Sequence, residues 1–389
     1  MRAGTLAPGR VLTACLCTAL VAAAGGCSAG AGSTVAAVTG KTLTIYASVP
    51  PQTADPAQTQ DILDAEQLAW EQNRGQAGAF RIRFLPVRAT VTDNARTAIQ
   101  DTSAIAYLGE TDPGTSGNSI PITEDQELLQ VSPADTALEY TQATPAVPGA
   151  PKSFYNEAYS SFGYTFARVV PSATLEAKAQ VQEMQSLGVT RLYVTDDGSQ
   201  YGKAIALAVK DDASRAITIA TGAGGADAVF YGGSDAARAA SALNADAAAS
   251  PSAKLFGPSA LDNPAFAAKL TSAAQRRAYI SSPGFLPADL NAQGKRFVAD
   301  FRAAYGHAPA LGAIFGYEAM DAVLAVLREA GTAANQRGTV VKDFRGIRNR
   351  SSVIGTYSLS NGDPNIGPFV FSRFKDGALV PFKFVQVQR

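Results

Sequence analysis

The sequence predicts an α/β protein built from two doubly wound, mainly parallel-sheet lobes. Short β-branched or apolar segments alternate along it with segments of helical spacing, the pattern of repeated βα units with helices on both faces of a sheet. Its 389 residues also exceed what one hydrophobic core usually holds, so two domains are the default. Hydrophobic residues make up 46% and charged residues 17%, which places the body among globular rather than disordered chains.

The first 26 residues read as a processed segment. Arg2 and Arg10 precede a short apolar stretch over residues 11–21, and small residues follow, ending in Ala24-Gly25-Gly26-Cys27. A basic start, a short apolar middle and a small-residue end describe an export signal. The apolar stretch is too short for a membrane span. Small residues directly before Cys27 resemble a lipobox, in which Cys27 is acylated and becomes the new N-terminus; ordinary cleavage with Cys27 as a bystander is the alternative. Residues 27–40 are rich in Gly, Ala, Ser and Thr and read as a flexible tether from lipid to domain.

The body then shows its elements in order. Residues 41–48 (KTLTIYAS) form the first strand, residues 61–72 carry Ile62, Ala65, Leu68 and Ala69 at helical spacing, and residues 80–87 (FRIRFLPV) form the second strand. Thr92-Asp93 can cap a short helix through Ile99. Strands follow at AIAYL (104–108) and ELLQVS (127–132). In the second half, Ala177, Val181 and Met184 mark a helix stopped at Gly188. The strand RLYVT (191–195), a helix over 201–210, strands over 217–220 and at AVFY (228–231), and the strand KLFG (254–257) come next. Phe297, Phe301 and Tyr305 form one helical stripe, and Met320, Val323, Leu324 and Leu327 another, ended by Gly331. Residues 353–357, 369–371 and 380–387 read as strands.

Composition excludes several classes of function. Lys plus Arg and Asp plus Glu both number 33. Two arginines leave with the signal, so 31 basic residues face 33 acidic ones in the remainder, a net charge of −2. That balance gives no electrostatic reason to expect nucleic acid. The basic cluster Lys342, Arg345, Arg348 and Arg350 reads as a solvated helix end or loop. Cys15, Cys17 and Cys27 all lie at or before the processing site, so the body has neither a disulfide nor a thiol nucleophile. With one histidine, His307, a His/Cys zinc cage is impossible, and the Asp-rich pieces lack the EF-hand pattern. No G-x-S-x-G elbow, P-loop or H-E-x-x-H motif occurs. These readings lead to no enzyme, no cofactor and no metal.

Ligands of such sheets sit at the carboxyl ends of the strands. The loop after the third strand, residues 109–118, is rich in hydroxyls, glycine and acid, with Glu110 and Ser116 as candidate contacts. The next strand exits into Ser132-Pro133-Ala134-Asp135-Thr136. Thr136 with Glu139 matches a capping box, whose helix start would offer free N–H groups to an anion; alternatively Thr136 only caps its own helix. Tyr201, in Asp196-Asp197-Gly198-Ser199-Gln200-Tyr201-Gly202, would face a crevice and wall a ligand, or else pack on its own lobe.

Taken together, AIAYLGETDPGTSG, LLQVSPADT, FARVVPS, RLYVTDDGSQYG, DAVFYGG, KLFGPSAL, FVADFRAAYGHAPALGAIFGYEAMDAV and VIGTYSLSNGDPNIGPFVFSRFKDGALVP resemble, in order, the type I periplasmic binding proteins of branched-chain amino acid ABC importers. The resemblance implies two lobes joined by a three-strand hinge, with crossings near 164–170, 281–283 and 351–355. Lobe one would hold residues 41–166 and 283–350, and lobe two residues 167–282 and 351–389. It implies a monomer that closes on a small polar ligand, an amino acid or a related carboxylate or amide, and passes it to an ABC permease. A lipid anchor would hold it at the outer face of the cytoplasmic membrane. The alternative is a sensor that signals through a membrane receptor.

By the same resemblance, Ala134 supplies backbone groups and Thr136 its N–H and hydroxyl to a ligand carboxylate, with Asp135 between them, and Tyr201 matches the family's tyrosine on lobe two. Three positions depart from the pattern. Glu110 stands where the family places a small residue, Ser259 where amino-acid binders place a glutamate for the ligand ammonium, and Ser234 where an aromatic is common. A buried ammonium needs a negative partner, so either Glu110, Asp135 or Asp235 replaces the missing acid or the ligand is not an ordinary α-amino acid. The chain also departs at 217–227, where the expected helix is lost or reduced, and after Ser48, where the usual glycines are absent.

Overall fold

The computed structural model describes residues 37–155 and 164–389. The expected export signal and the acylation site at Cys27 lie outside the described residues, as does the expected tether up to residue 36. The end of that tether is docked. Val38 is buried, gives its N–H to the Asn335 carbonyl (2.7 Å) and takes the Asn335 side-chain amide (2.8 Å).

The first strand, β1 (Thr42–Ser48), is buried at every residue after Thr42, as a strand covered on both faces must be. Helix α1 (Pro56–Gln72) starts where the Asp55 carboxylate accepts the Ala57 and Gln58 amides, with Pro56 pre-set in its first turn. A short hairpin of β2 (Gln76–Ala77) and β3 (Phe80–Val87) follows. Then come α2 (Val91–Gln100), β4 (Ala104–Leu108), the single-turn α3 (Ile120–Glu124), β5 (Leu129–Ser132) and β6 (Phe166–Arg168). The six strands order as β2-β3-β1-β4-β5-β6, and every neighbour pair is parallel except β2 with β3.

The chain then crosses to a second sheet. It lays down α4 (Ala173–Ser186), β7 (Arg191–Asp196), α5 (Gln200–Ala213), β8 (Thr218–Ala220), β9 (Ala228–Gly232), α6 (Ala236–Ala249), β10 (Lys254–Gly257), the short α7 (Pro264–Ala267) and α8 (Ser272–Gln275), and β11 (Ala278–Pro283). It returns to the first lobe with α9 (Ala292–Tyr305), α10 (Ala313–Ala330) and α11 (Arg337–Arg345). Two small hairpins follow, β12 with β13 (Arg350–Ser352, Gly355–Tyr357) and β14 with β15 (Leu359–Ser360, Asp363–Pro364). The chain ends in β16 (Ile366–Lys375) and β17 (Ala378–Gln388), which join the second sheet in the order β17-β16-β11-β10-β9-β7-β8. That sheet is parallel from β11 to β8, and β16 and β17 are antiparallel.

Each sheet has its own core. Leu43, Ile45 and Ile82 pack with Met320, Val323 and Leu327 of α10 and Phe344 of α11. On the second sheet, α4 and α5 cover one face through Leu175, Met184, Ile205 and Val209, and α6 covers the other through Ala239, Ala240 and Leu243. Gly316 lets α10 lie directly against α1, since a Cβ there would sit 2.5 Å from the Ile62 carbonyl oxygen.

Several local readings change. The third crossing falls after Pro364 rather than at 351–355, because Val353, Ile354, Tyr357 and Leu359 are still buried in the first core. Residues 353–354 form the turn between β12 and β13 rather than part of one strand. One departure holds as expected: segment 217–227 has no helix, and β8 passes to β9 through turns. The cap of α2 is Thr90, not Thr92-Asp93, since Thr90 Oγ1 accepts the Asp93 amide. Of the basic cluster, Lys342 and Arg348 are exposed as expected, whereas Arg345 and Arg350 are built into the fold. Arg350 pairs with Glu318 (2.7 Å) and Asp321 (2.6 Å), and Arg345 donates to the Phe166 carbonyl (2.6 Å).

One buried pair ties the crossings together. Arg168 ends β6 on the first crossing, Asp363 lies just before the third, and both side chains are fully buried with Nε and Oδ1 3.0 Å apart. Asp363 also accepts from Thr141 Oγ1 (2.9 Å), the Gln142 side chain (2.7 Å) and Arg389 (2.7 Å). The other guanidinium nitrogens of Arg168 donate to the Asp135 carbonyl (2.6 Å) and the Ala137 carbonyl (2.7 Å). Removing one member strands a buried charge, so Asp363→Ala is expected to destabilise the fold by about 3–5 kcal/mol. Urea unfolding followed by circular dichroism measures this, and a change under about 1 kcal/mol, the range of an exposed pair, would refute it.

Candidate ligand-binding cleft

The carboxyl ends of the two sheets face one another. A crevice of about 50 Å³ runs between them, with Ala54, Asp112 and Ala134 of the first lobe on one side and Ser259, Asp262 and Ser282 of the second on the other. Val170, just past the first crossing, lies along it. A second pocket of about 400 Å³ shares Asp55, Gln58, Asp262 and Asn263 with the crevice and continues along apolar Pro264, Ala267, Leu311, Leu379 and Pro381.

Side chains that never reach the crevice build its first-lobe wall. Ser132 Oγ accepts the Asp135 amide (2.7 Å) and the Ala134 amide (3.2 Å). The Asp135 carboxylate accepts the Gly114 (2.7 Å), Ser116 (2.8 Å) and Ala137 (3.0 Å) amides, which locks loop 109–118 to loop 133–137. Glu110 is fully buried beneath them. It accepts from Ser48 Oγ and Tyr107 Oη, both at 2.6 Å. The side chains of Glu110, Ser116 and Asp135 are therefore committed inside the first lobe and do not face the crevice. Thr136 caps no helix either. The following residues make only a single 3₁₀ turn, Leu138–Tyr140, without a side-chain cap. Asp135 takes the Ala137 amide and Arg168 takes the carbonyls of 135 and 137, so the backbone groups an α-helix would use are already engaged.

A polar cluster closes the inner end of the cleft. Tyr201, in the first turn of α5, crosses to the first lobe and packs with Leu138 and Tyr140. It sits so close to Gly114 that a Cβ on that glycine would lie 3.2 Å from Tyr201 Cβ. Its hydroxyl is buried beside Thr136, Ser259 and Glu176. Neither Tyr201 Oη nor Thr136 Oγ1 has a hydrogen-bond partner. Glu176, in the first turn of α4, was not singled out by the sequence, yet it takes up Ser259: its carboxylate accepts the Ser259 amide (2.5 Å) and hydroxyl (3.0 Å), and Ser281 Oγ (2.6 Å). Of the expected contacts, Ala134 and Ser259 line the crevice, and Thr136 and Tyr201 meet behind it. Ser234 is exposed, with its N–H on Asp197 (3.2 Å), and Asp235 caps α6 on the surface. Neither lines the crevice.

The acids that do line it are Asp55, Asp112 and Asp262. Asp112 lay in a loop already recognised as acid-rich. Asp262 follows a strand end four residues past Pro258 and matches no pattern of its own. Burial, followed by repulsion from Asp135 and Asp55, raises the Asp112 carboxyl above its ordinary value. Burial, opposed by the Ser282 hydroxyl and helped by Asp55, pushes Asp262 up to about 6.

Burial also pushes the carboxyls of Glu110, Glu139 and Glu176 up to about 7, from an ordinary 4.5. Between those values the folded chain holds protons that the unfolded chain has released, so unfolding releases protons and stability falls as pH rises. The melting temperature is expected to drop steadily from pH 5 to pH 7.5. Glu110→Gln, which mimics the protonated side chain, should flatten part of that slope. Differential scanning calorimetry across this window decides the sign, and a melting temperature that rises with pH would contradict it.

No family model matches the sequence, and no curated protein matches it. Solved structures do resemble it. A leucine-binding protein from Thermotoga maritima superposes with a TM-score of 0.71 at 18% identity, covering 88% of this chain and 98% of that one. A branched-chain amino acid transporter substrate-binding protein from Streptococcus pneumoniae, in complex with isoleucine, gives 0.65 at 14%, covering 90% and 100%. A solute-binding protein from R. palustris in complex with benzoate gives 0.65 at 20%, covering 90% and 98%. Two sheets of mostly parallel strands, three passages between them and a crevice at the strand ends match these structures over nearly their whole length. The chain has the type I periplasmic binding protein fold.

Proposed function

We propose that the protein is the extracytoplasmic solute-binding component of an ABC importer, anchored through Cys27, which captures a small polar molecule between its lobes and hands it unchanged to a permease. The observation that carries this reading is the crevice itself, lined by strand-end loops of both lobes, with Ala134 on one side and Ser259 on the other. One buried hydroxyl on its wall, that of Thr111, has no partner. Such a group disfavours the state that buries it by about 1–3 kcal/mol, so a guest that satisfies it favours closure. Closure then follows from contacts present only in the closed state. The solved neighbours are substrate-binding proteins, and their ligands are leucine, isoleucine and benzoate. Amino acids and related carboxylates or amides are therefore the first compounds to test.

The protein as isolated is expected to retain a small molecule that native mass spectrometry detects. Ala134→Trp would fill the crevice and weaken ligand binding roughly tenfold or more, with thermal unfolding unchanged in the absence of ligand. A ligand that binds this variant as tightly as the unsubstituted protein would place the site elsewhere. The anchor is tested separately. Cys27→Ser should move the protein from the membrane fraction to the soluble fraction, and continued membrane association would rule out lipidation at Cys27.

A further inference from the structure

We propose that the ligand is an organic cation, a compact apolar group carrying an ammonium, held between carboxylates of the two lobes. This rests on the solute-binding reading and specifies its substrate class. Three carboxylates, Asp55, Asp112 and Asp262, line the crevice, and no Lys, Arg or His lines either it or the adjoining pocket. They come from both lobes: Asp55 and Asp112 lie before the first crossing, and Asp262 follows β10 on the second sheet. A single positive charge between them would therefore be gripped from both sides only when the lobes are closed.

Their internal partners leave capacity for a guest. Asp262 has one partner, the Ser282 hydroxyl. Asp112 accepts from Thr53 Oγ1 (3.2 Å) and the Ala54 amide (3.1 Å). Asp55 uses Oδ1 for both amides of its helix cap. An independent feature marks the same cavity. Thr111 lines it, is only 6% exposed, and its Oγ1 has no hydrogen-bond partner. Thr111 can accept from an ammonium, as the carboxylates can, and an ammonium has three N–H donors to give.

The lining also excludes other charge types. A bound carboxylate, such as the benzoate of the R. palustris neighbour, would enter beside acids with no cation to offset it, and like charges brought together away from water repel strongly. A metal ion is a poor fit: no group of three His, Cys, Asp or Glu residues among those described is close enough to hold one. The acids stand apart on the two lobes instead. The adjoining pocket, with Pro264, Ala267, Leu311, Leu379 and Pro381, supplies an apolar surface for the remainder of the guest.

The experiment uses the full chain and three probes that share one branched hydrocarbon body: 3-methylbutylamine as the cation, leucine as the zwitterion and 4-methylpentanoate as the anion. Isothermal titration calorimetry at pH 7.5 and low salt is expected to show the amine binding more tightly than leucine, and no binding of the anion. Asp112→Asn and Asp262→Asn should each weaken the amine about tenfold, while melting temperatures measured without ligand stay level or rise because a repelling buried charge is gone. Tighter binding of leucine or 4-methylpentanoate, an amine that does not bind, or an amine affinity unchanged in both variants would each overturn the charge assignment. The two readings fail separately. Leucine or 4-methylpentanoate binding with a decrease in radius of gyration would preserve solute capture and remove only the cation. A broad solute screen in which nothing binds or compacts the protein would remove both.

Discussion

The buried pair of Arg168 and Asp363 is the constraint on which the interlobe site depends. Desolvating two charges is expensive, and such a pair adds little net stability over a well-packed apolar substitute. What it supplies here is position. Asp363 holds the third crossing against the first, and the remaining guanidinium nitrogens reach the carbonyls of Asp135 and Ala137. One side chain therefore sets the register of the hinge and the shape of the loop that presents Ala134 to the crevice.

A second layer of buried acids carries that order outward. Asp135 fastens loop 109–118 to its own loop by accepting two amides, those of Gly114 and Ser116, and Glu110 anchors the same loop from below through Ser48 and Tyr107. On the opposite lobe Glu176 does the equivalent for the Ser259 turn and the β11 crossing. The arrangement is rigid inside each lobe and poorly satisfied between them, where Thr136 and Tyr201 leave two hydroxyls unpaired. That contrast suits the proposed capture between lobes, since a ligand shifts an equilibrium only through contacts that differ between its states.

The fold was legible because it is written in local patterns. The strands AIAYL and KLFG appear at the residues expected, since strands of a parallel sheet covered on both faces leave short, mostly apolar runs whose length favours a strand over a helix. The rule that ligands collect at strand ends also singled out loops that line the crevice. Individual site residues were harder to read, because their roles are set by partners far away in sequence. Glu110 stood in a strand-end loop, but β1 and β4 place Ser48 and Tyr107 beneath it and turn it inward. Thr136 and Glu139 matched a capping box, yet the helix is pre-empted by Asp135 and Arg168. Asp262 could not be singled out, because nothing near it distinguishes a crevice acid from a surface acid until β10 is placed opposite β4.

The missing glutamate at Ser259 illustrates the same point in terms of charge. The site has not lost its acid: Glu176 arrives from α4 and binds Ser259 directly, and three aspartates occupy the wall nearby. Glu176 is spent on two serines, so it organises the turn rather than meeting the guest. The wall acids have fewer internal partners and no cation among them. Negative charge on this wall is carried by Asp55, Asp112 and Asp262 and comes from both lobes, rather than standing at the Ser259 position. A shared fold does not by itself fix what is bound; the residues of the site do. The proposed positive sign of the guest therefore rests on those three side chains and on the lack of any Lys, Arg or His beside them.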